Sequence, residues 1–292
     1  MSIIKTCSEL QCWLKSQDRK EKTLGFVPTM GYLHAGHESL IKAAKADNEL
    51  VVVSIFVNPL QFGPGEDYER YPRDMERDYK CARAAGADIV FYPDINEIYL
   101  PGFSTEVEVK GSMTSKLCGI TRPLHFKGVT TVVNILFNIV SPDRAYFGQK
   151  DAQQAAIIKK MVCDLHIPVE IIVCPIVREA DGLAMSSRNV YLNGQERKSA
   201  LSLYHGLKKA QEFIDTGVAN CAKTDCLIKI IRDEIEKEAS AEVEYIEILD
   251  EAAFEPIQII EPFQRALAAV AVRFGHTRLI DNIILEQKGT GQ

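Results

Sequence analysis

Residues 23–50 read TLGFVPTMGYLHAGHESLIKAAKADNEL. TLGFV is an apolar run of strand length, and HESLIKAAKADNEL sets Leu40, Ile41 and Ala44 at helical spacing. The stretch therefore predicts a strand, a turn and a helix. His34 and His37, two of only six histidines, fall on that turn with Gly31 and Gly36 around them. The first N–H groups of a helix are unpaired and its dipole favours an anion there. Glycine lets a ligand come close to the backbone, and imidazole is a good donor to a phosphate oxygen. The turn points to nucleotide phosphate. Zinc ligation and an ordinary polar loop stay open on this pattern alone, although zinc normally wants further ligands at recognisable spacing. None of the eight cysteines forms a CxxC pair.

Outward from the turn, the first 175 or so residues alternate short apolar runs with helical patterns. VVVSIFVN (51–58) and DIVFYP (88–93) read as strands around the helix DMERDYKCARAAGA, which ends near Gly86. GVTTVVNILFNIV (128–140) puts Val129, Val132, Val133, Leu136, Phe137 and Val140 on one helical face. AYFG, DAQQAAIIKKMVCDLH and VEIIV continue as strand, helix and strand. The fold class is α/β: a Rossmann-like parallel sheet with helices on both faces, binding ligands at the carboxyl ends of its strands. Past READGLAMSSRN come two charged amphipathic helices within 195–240 and then three strands, VEYIEILD, RALAAVAVRF and TRLIDNIIL. The expected division is a nucleotide- and substrate-binding domain over 1–176 and a smaller α+β domain over 177–292.

Polar clusters fall where those strands end. Asn58 and Gln61 follow VVVSIFVN and precede the Gly/Pro-rich loop of PLQFGPGEDYERYPRD. A polar turn explains them equally, but amides suit a ligand with hydroxyl and carboxylate groups. AYFGQKDAQQ repeats the earlier arrangement, with Gly148, then Lys150 and Asp151 opening a helix and Gln154 one turn on. Lysine is unfavourable at a helix start unless a polyphosphate is bound there, whereas Asp151 reads equally as a plain N-cap. Met185, Ser186, Ser187 and Arg188 form a third cluster, able to wrap a triphosphate or to cap the next helix.

The bulk properties of the 292 residues are those of an ordinary soluble globular chain, 46% hydrophobic and 25% charged. A formal net charge of −6 argues against nucleic acid as a partner. The N-terminal MSIIKTCSELQCWLKSQDRKEK has no apolar signal core and no run approaches a membrane span, so a cytoplasmic protein with no membrane partner is expected. Cysteines at 7, 12, 81, 118, 163, 174, 221 and 226 are scattered singly and read as reduced core or surface thiols.

With these residues in view, MGYLHAGH resembles the HIGH motif of the nucleotidyltransferase superfamily and AMSSRN its KMSKS counterpart. Taken with FVNPLQFGPGEDYERYPRD, YFGQKDAQQ and READGLAMSSRNVYL, the chain resembles the pantoate-β-alanine ligase family from about residue 1 to 285. GITRPLHFKGVTTVV departs from the RPGHFRGV expected of the family, with Leu124 for a glycine and Lys127 for an arginine. The resemblance implies ATP-dependent joining of pantoate to β-alanine through an acyl adenylate. It assigns ATP to Met30, Gly31, Tyr32, Leu33, His34, Ala35, Gly36 and His37, to Gly148, Gln149, Lys150 and Asp151, to Val177, and to Met185, Ser186, Ser187 and Arg188. His37, as proton donor, with His34, Lys150 and Arg188 would act in catalysis. Gln61 and Gln154 would hold pantoate, and Gln61 with Asn58 β-alanine. Mg²⁺ would arrive with ATP, without a dedicated protein ligand, and the expected assembly is a homodimer. An adenylyltransferase acting on a phosphorylated acceptor, an aminoacyl-tRNA synthetase and an ATP sensor without turnover are the rival readings.

Overall fold

The computed structural model describes residues 1–217 and 222–287, so Cys221 and the last five residues of the expected second domain lie outside the described residues. The chain divides into two compact units, Met1–Val177 and Arg178–Gln292.

The first unit runs β1 (Ser2–Ile4), α1 (Cys7–Ser16), β2 (Leu24–Thr29), α2 (Ala35–Asp47), β3 (Leu50–Ile55), α3 (Met75–Ala85), β4 (Ile89–Phe91), α4 (Ile95–Ile98), α5 (Cys118–Thr121), α6 (His125–Val140), β5 (Arg144–Gly148), α7 (Ala152–Asp164) and β6 (Glu170–Cys174). Six strands make one parallel sheet in the order β1-β4-β3-β2-β5-β6. Strand alternation sorts the apolar side chains to two faces. Leu24, Phe26, Leu50, Val52 and Phe147 pack with Val129, Val132, Val133, Leu136 and Phe137 of α6, whereas Val27, Val51, Val53 and Tyr146 pack with Ile41 of α2 and Ala82 of α3. The α/β expectation is met, with β1 added at the sheet edge where no strand was anticipated.

The sheet changes direction of winding between β2 and β5, and there the ladder opens. β2 pairs with β5 only through Gly25–Arg144 and Phe26–Ala145, but with β3 along its whole length to Thr29–Ile55. Pro28 supplies the reason. The Leu24 carbonyl accepts from Asp143 N–H just ahead of β5, and the Thr29 carbonyl accepts from Phe56 N–H just beyond β3. Alternate residues of a strand address the same neighbour, so Leu24, Phe26 and Pro28 face β5, and proline has no N–H to offer. The strand itself runs two residues past the apolar run that marks it in the sequence, because pairing with β3 needs no donor from Pro28.

Gly128 in α6 fixes the next element. A Cβ there would lie 2.3 Å from the Leu60 carbonyl oxygen, so the helix touches the backbone of the short 3-10 turn Pro59–Gln61. The two family departures sit close by and are readily accommodated. Leu124 has φ −96 and an exposed side chain, a conformation open to any residue, and Lys127 pairs with Glu106 at 2.8 Å.

The second unit carries α8 (Gly194–Ser199), α9 (Leu201–Asp215), α10 (Thr224–Ile235) and the strands β7 (Ala241–Asp250), β8 (Arg265–Phe274) and β9 (Thr277–Glu286), which form an antiparallel sheet in chain order. Leu203, Leu207, Leu227 and Ile231 from the helices share a core with Ile246, Ile248, Ala268 and Val270 from the strands.

Gly128→Ala is expected to destabilise the chain by about 1–3 kcal/mol, since the methyl group meets backbone and not a movable side chain. Urea unfolding of the two proteins measures it, and an unchanged midpoint would refute the close approach.

Candidate active site

The turn after β2 adopts a backbone that its residues do not favour. Gly31 has φ +89 and Tyr32 φ +51, and a left-handed tyrosine costs about 1–2 kcal/mol. A Cβ on Gly31 would stand 2.9 Å from Ile55 and 3.0 Å from an Asp78 oxygen, so both φ and space require glycine. Asp78 of α3 offsets the cost. Its carboxylate, 1% exposed, accepts from Tyr32 N–H at 2.8 Å and Leu33 N–H at 2.6 Å. Bonds to a charged acceptor contribute about 1.5–3 kcal/mol each. Burial raises the Asp78 pKa while these two donors pull it back. The Arg77 guanidinium lies over the Tyr32 ring, 4.3 Å from its centre.

One residue further on, the two histidines cap α2. His34 is the N-cap; its Nδ1 accepts from Gly36 N–H at 3.2 Å, and His37 Nδ1 accepts from His34 N–H at 3.3 Å. Their ring centres are 4.1 Å apart. A backbone N–H can only donate, so each Nδ1 is an acceptor and each neutral ring carries its proton on Nε2. Both rings therefore offer an Nε2–H donor. Loss of water around His37, with the neighbouring His34 and Lys150 opposing a further positive charge, pushes its pKa well below the ordinary histidine value.

Lys150 stands beyond β5, in the 3-10 turn Gln149–Asp151, and pairs with Asp151 at 3.3 Å. Asp151 occupies the N-cap position of α7 but makes no side-chain capping bond, so the plain capping explanation is set aside. Gly148 ends β5, and Gln154 lies half-buried in the first turn of α7.

Gln61 is held from three sides. Asn58 Oδ1 accepts from Leu60 N–H at 3.2 Å and from the Tyr99 hydroxyl at 2.7 Å, which fixes the Asn58 amide. Asn58 Nδ2 then donates to Gly128 O at 3.1 Å and to Gln61 Oε1 at 3.2 Å. Gln61 is left presenting its NH₂ group, which reaches the Met30 sulfur at 2.8 Å, a weak acceptor. The Gln61 carbonyl accepts from Arg122 at 3.2 Å and lies 2.9 Å from His125 Nδ1. A carbonyl only accepts, so His125 carries its proton on Nδ1, the opposite tautomer to His34 and His37. Burial and the neighbouring Arg122 push the His125 pKa down to about 4. Arg122 also grips Glu66 of the Gly/Pro-rich loop with two bonds, at 2.7 and 2.6 Å. The same loop brings Tyr68 and Arg73 to a cavity of about 170 Å³ whose lining includes Met30 and Asp78.

Met30, Gly31, His34, His37 and Lys150 thus gather at the carboxyl ends of β2 and β5, with Gln61 against Met30. Asn58 is also near, but its two acceptor and two donor capacities are already filled within the protein. Sequence reasoning passed over Asp78, Tyr99, Glu66, Arg122 and His125. Each acts through a partner distant in the chain, and only the turn chemistry of Gly31 hints that something must hold that backbone.

In the second unit, the segment holding Met185–Arg188 has its own supports. Arg178 chelates Asp281 at 2.6 and 3.0 Å, bonds the Gly182 carbonyl and lies over Tyr204. Arg197 bonds both Glu179 and Asp181, and Asn189 bridges Glu179 to the Ala184 carbonyl. Ser186 accepts from Arg188 N–H at 3.2 Å, capping the 3-10 turn Ser187–Tyr191.

The family model described as pantoate-beta-alanine ligase matches residues 2–284. The chain belongs to the pantoate-β-alanine ligase family. It is 54% identical over 286 residues to the pantothenate synthetase of Acetivibrio thermocellus, covering 98% of this chain and all of the relative. The pantothenate synthetase of Thermotoga neapolitana is 52% identical over 285 residues, with the same coverage. Among solved structures, the pantothenate synthetase of Thermus thermophilus superposes with a TM-score of 0.90 at 44% identity over 97% of this chain and 99% of that one. The Francisella tularensis pantoate-β-alanine ligase, solved with β-γ ATP and β-alanine, gives 0.80 at 34% identity over 97% of each chain.

The His125 tautomer and pKa carry a prediction. Its folded pKa lies below the unfolded value of about 6.5, so between those values the unfolded chain binds the extra proton and stability falls as pH falls. The slope is up to about 1.4 kcal/mol per pH unit. His125→Asn, which keeps a donor for the Gln61 carbonyl, should flatten the difference between urea midpoints at pH 7 and pH 5; an identical difference in both proteins would refute it.

Proposed function

We propose that the chain joins pantoate to β-alanine at the expense of ATP, releasing AMP and pyrophosphate. The observation that carries this reading is the pair of Nε2–H donors on His34 and His37 at the head of α2, near Lys150, in a chain of this family. A carboxylate is a poor acylating agent. In the first step the pantoate carboxylate attacks the α-phosphorus, and the pyrophosphate leaves. His34 and His37 donate to the phosphate oxygens as charge builds there, and Lys150 stabilises the leaving phosphates. In the second, the β-alanine amine displaces AMP from the acyl adenylate. Both displacements occur between bound reactants, so no covalent nucleophile on the protein is needed.

In this reading Met30, Gly31, Tyr32, Leu33, Ala35 and Gly36 line the nucleotide with the histidines, as do Gly148, Gln149 and Asp151. Val177 contacts adenine, and Met185, Ser186, Ser187 and Arg188 contribute to holding the triphosphate. Gln61 and Gln154 bind pantoate; the outward NH₂ group of Gln61 suits a carboxylate or hydroxyl acceptor. Asn58 orients Gln61 for β-alanine, its own amide being fully bonded. Mg²⁺ would be bound through the phosphate oxygens of its ATP complex, since magnesium needs few protein ligands when phosphates supply oxygens. The loop at 63–72, pinned by Arg122 to Glu66, serves as a lid that keeps water from the adenylate.

The enzyme would work as a homodimer in the cytoplasm. No helix among the described residues is long and apolar enough to cross a membrane.

Pantoate-dependent exchange of pyrophosphate into ATP, without β-alanine, tests the first step. His37→Ala should lower it by about 10²–10³-fold. Exchange that ignores pantoate, or ATP binding with no exchange at all, would favour another acceptor or a sensor. Gln61→Ala should weaken pantoate by about tenfold and ATP far less; equal losses would sink the pantoate assignment.

A proton count tests the histidine chemistry. With His37 neutral in the free protein and its Nδ1 engaged by His34 N–H, the ring meets the phosphates through Nε2–H, and ATP binding near pH 7 takes up no proton there. Calorimetry in two buffers of different ionisation enthalpy measures it, and clear uptake would show that His37 gives up the cap and binds as an imidazolium.

A further inference from the structure

We infer that Asp78 is a positioning residue for the reaction, holding the turn Gly31–Leu33 so that His34 and His37 stand as a donor pair. This rests on the reading of the turn as the phosphate site. Asp78 lies 45 residues from Leu33 in the chain and is almost fully buried, yet among the described residues it forms no salt bridge. A buried carboxylate that makes no direct ion pair is expensive, and the nearby Arg77 charge offsets only part of that cost. Its two oxygens are taken up by consecutive backbone N–H groups, those of Tyr32 and Leu33.

Those two amides belong to the segment where the backbone is left-handed, and His34 follows at once. Leu33 adds an anchor, since its side chain is fully buried against Val27, Ile41 and the α3 side of the sheet. Asp78 therefore acts on the histidines only through the backbone. Arg77, the residue before it, lies over the Tyr32 ring and holds the same turn from outside. A carboxylate is required and an amide is a poor substitute. Asp78→Asn keeps one acceptor oxygen and turns an NH₂ group toward the second N–H, donor against donor.

The test compares wild type, Asp78→Asn, Arg77→Gln and the control Glu76→Gln, whose side chain is exposed on the same helix and pairs with Lys80. Two quantities are read: pantoate-dependent exchange kinetics, and the titration of His37 in the folded protein by NMR of ¹³C-labelled histidine. Asp78→Asn should lower kcat by about 10²-fold with little change in KM for pantoate, because Gln61 is held independently by Asn58. Its His37 should titrate closer to the ordinary histidine value as the turn loosens and water enters. Glu76→Gln should match wild type in both.

A purely structural role would lower the amount of folded enzyme and leave the His37 titration of the folded fraction unmoved. Asp78→Asn with that titration unchanged overturns the proposal, whatever its rate. Should Asp78→Asn not fold, Arg77→Gln decides. A several-fold loss of kcat with the same direction of shift in His37 supports the assignment, and wild-type behaviour overturns it. Absence of exchange in the wild type would instead count against the proposed reaction, and the His37 titration would still judge Asp78.

Discussion

β2 and β5 stop pairing after Phe26, at the seam where the parallel sheet reverses its order of winding, and the histidine and lysine turns leave from that seam. The parting follows from one missing hydrogen. Pro28 turns toward β5 a backbone nitrogen that cannot donate, while the ladder to β3 continues to Thr29. The two histidines and Lys150 hang from these two strand ends. The histidine turn leaves β2 and the Lys150 turn leaves β5, and Gln61 reaches Met30 from the turn after β3. A crossover sheet places a ligand site at such a point as a matter of topology. Here the sequence also loosens the seam.

The polar groups at these strand ends are oriented by donors whose direction admits no choice. Gly36 N–H and His34 N–H settle the two imidazoles, and Leu60 N–H settles Asn58 and through it Gln61. For the two histidines and Gln61 the end fixed by these bonds is the acceptor, and the opposite end is a donor: Nε2–H of each histidine and the NH₂ of Gln61. His125 is the exception that shows the rule is local. Its Nδ1 proton goes to the Gln61 carbonyl, so it supports the site and does not add a donor in the same sense. A set of fixed donors suits substrates that bring phosphate and carboxylate oxygens, and it does so without many fixed charges.

Much of this was legible in the letters, and the rest was not for definite reasons. The sheet, the helices on its two faces and the small antiparallel domain could be read because period-2 and period-3.6 patterns are local. The two histidines stood out because a glycine-flanked pair at a strand-to-helix turn has a physical meaning of its own. Asp78 was invisible, since DMERDYK reads as a solvated helix face and nothing nearby says that one carboxylate turns inward. Asn58 was legible as important but not in its manner, because the count of its bonds depends on Tyr99 and Gly128, 41 and 70 residues away. The letters left Asp151 between a nucleotide ligand and a plain cap; it stands at the N-cap of α7 without a side-chain capping bond, and its neighbour Lys150 pairs with its carboxylate.

A site for ATP faces a problem of timing in its charges. Placing two imidazolium rings 4.1 Å apart, beside a lysine, would set like charges against each other whenever the nucleotide is absent. Burial and the nearby charges solve this by keeping His37 neutral in the free protein. A neutral ring still carries its Nε2–H, so the head of α2 keeps two donors without setting two charges against each other. Asp78 contributes on the far side of the same turn. Its negative charge is spent on two backbone N–H groups, which leaves the turn rigid while the donors on its other side remain directed by the helix cap.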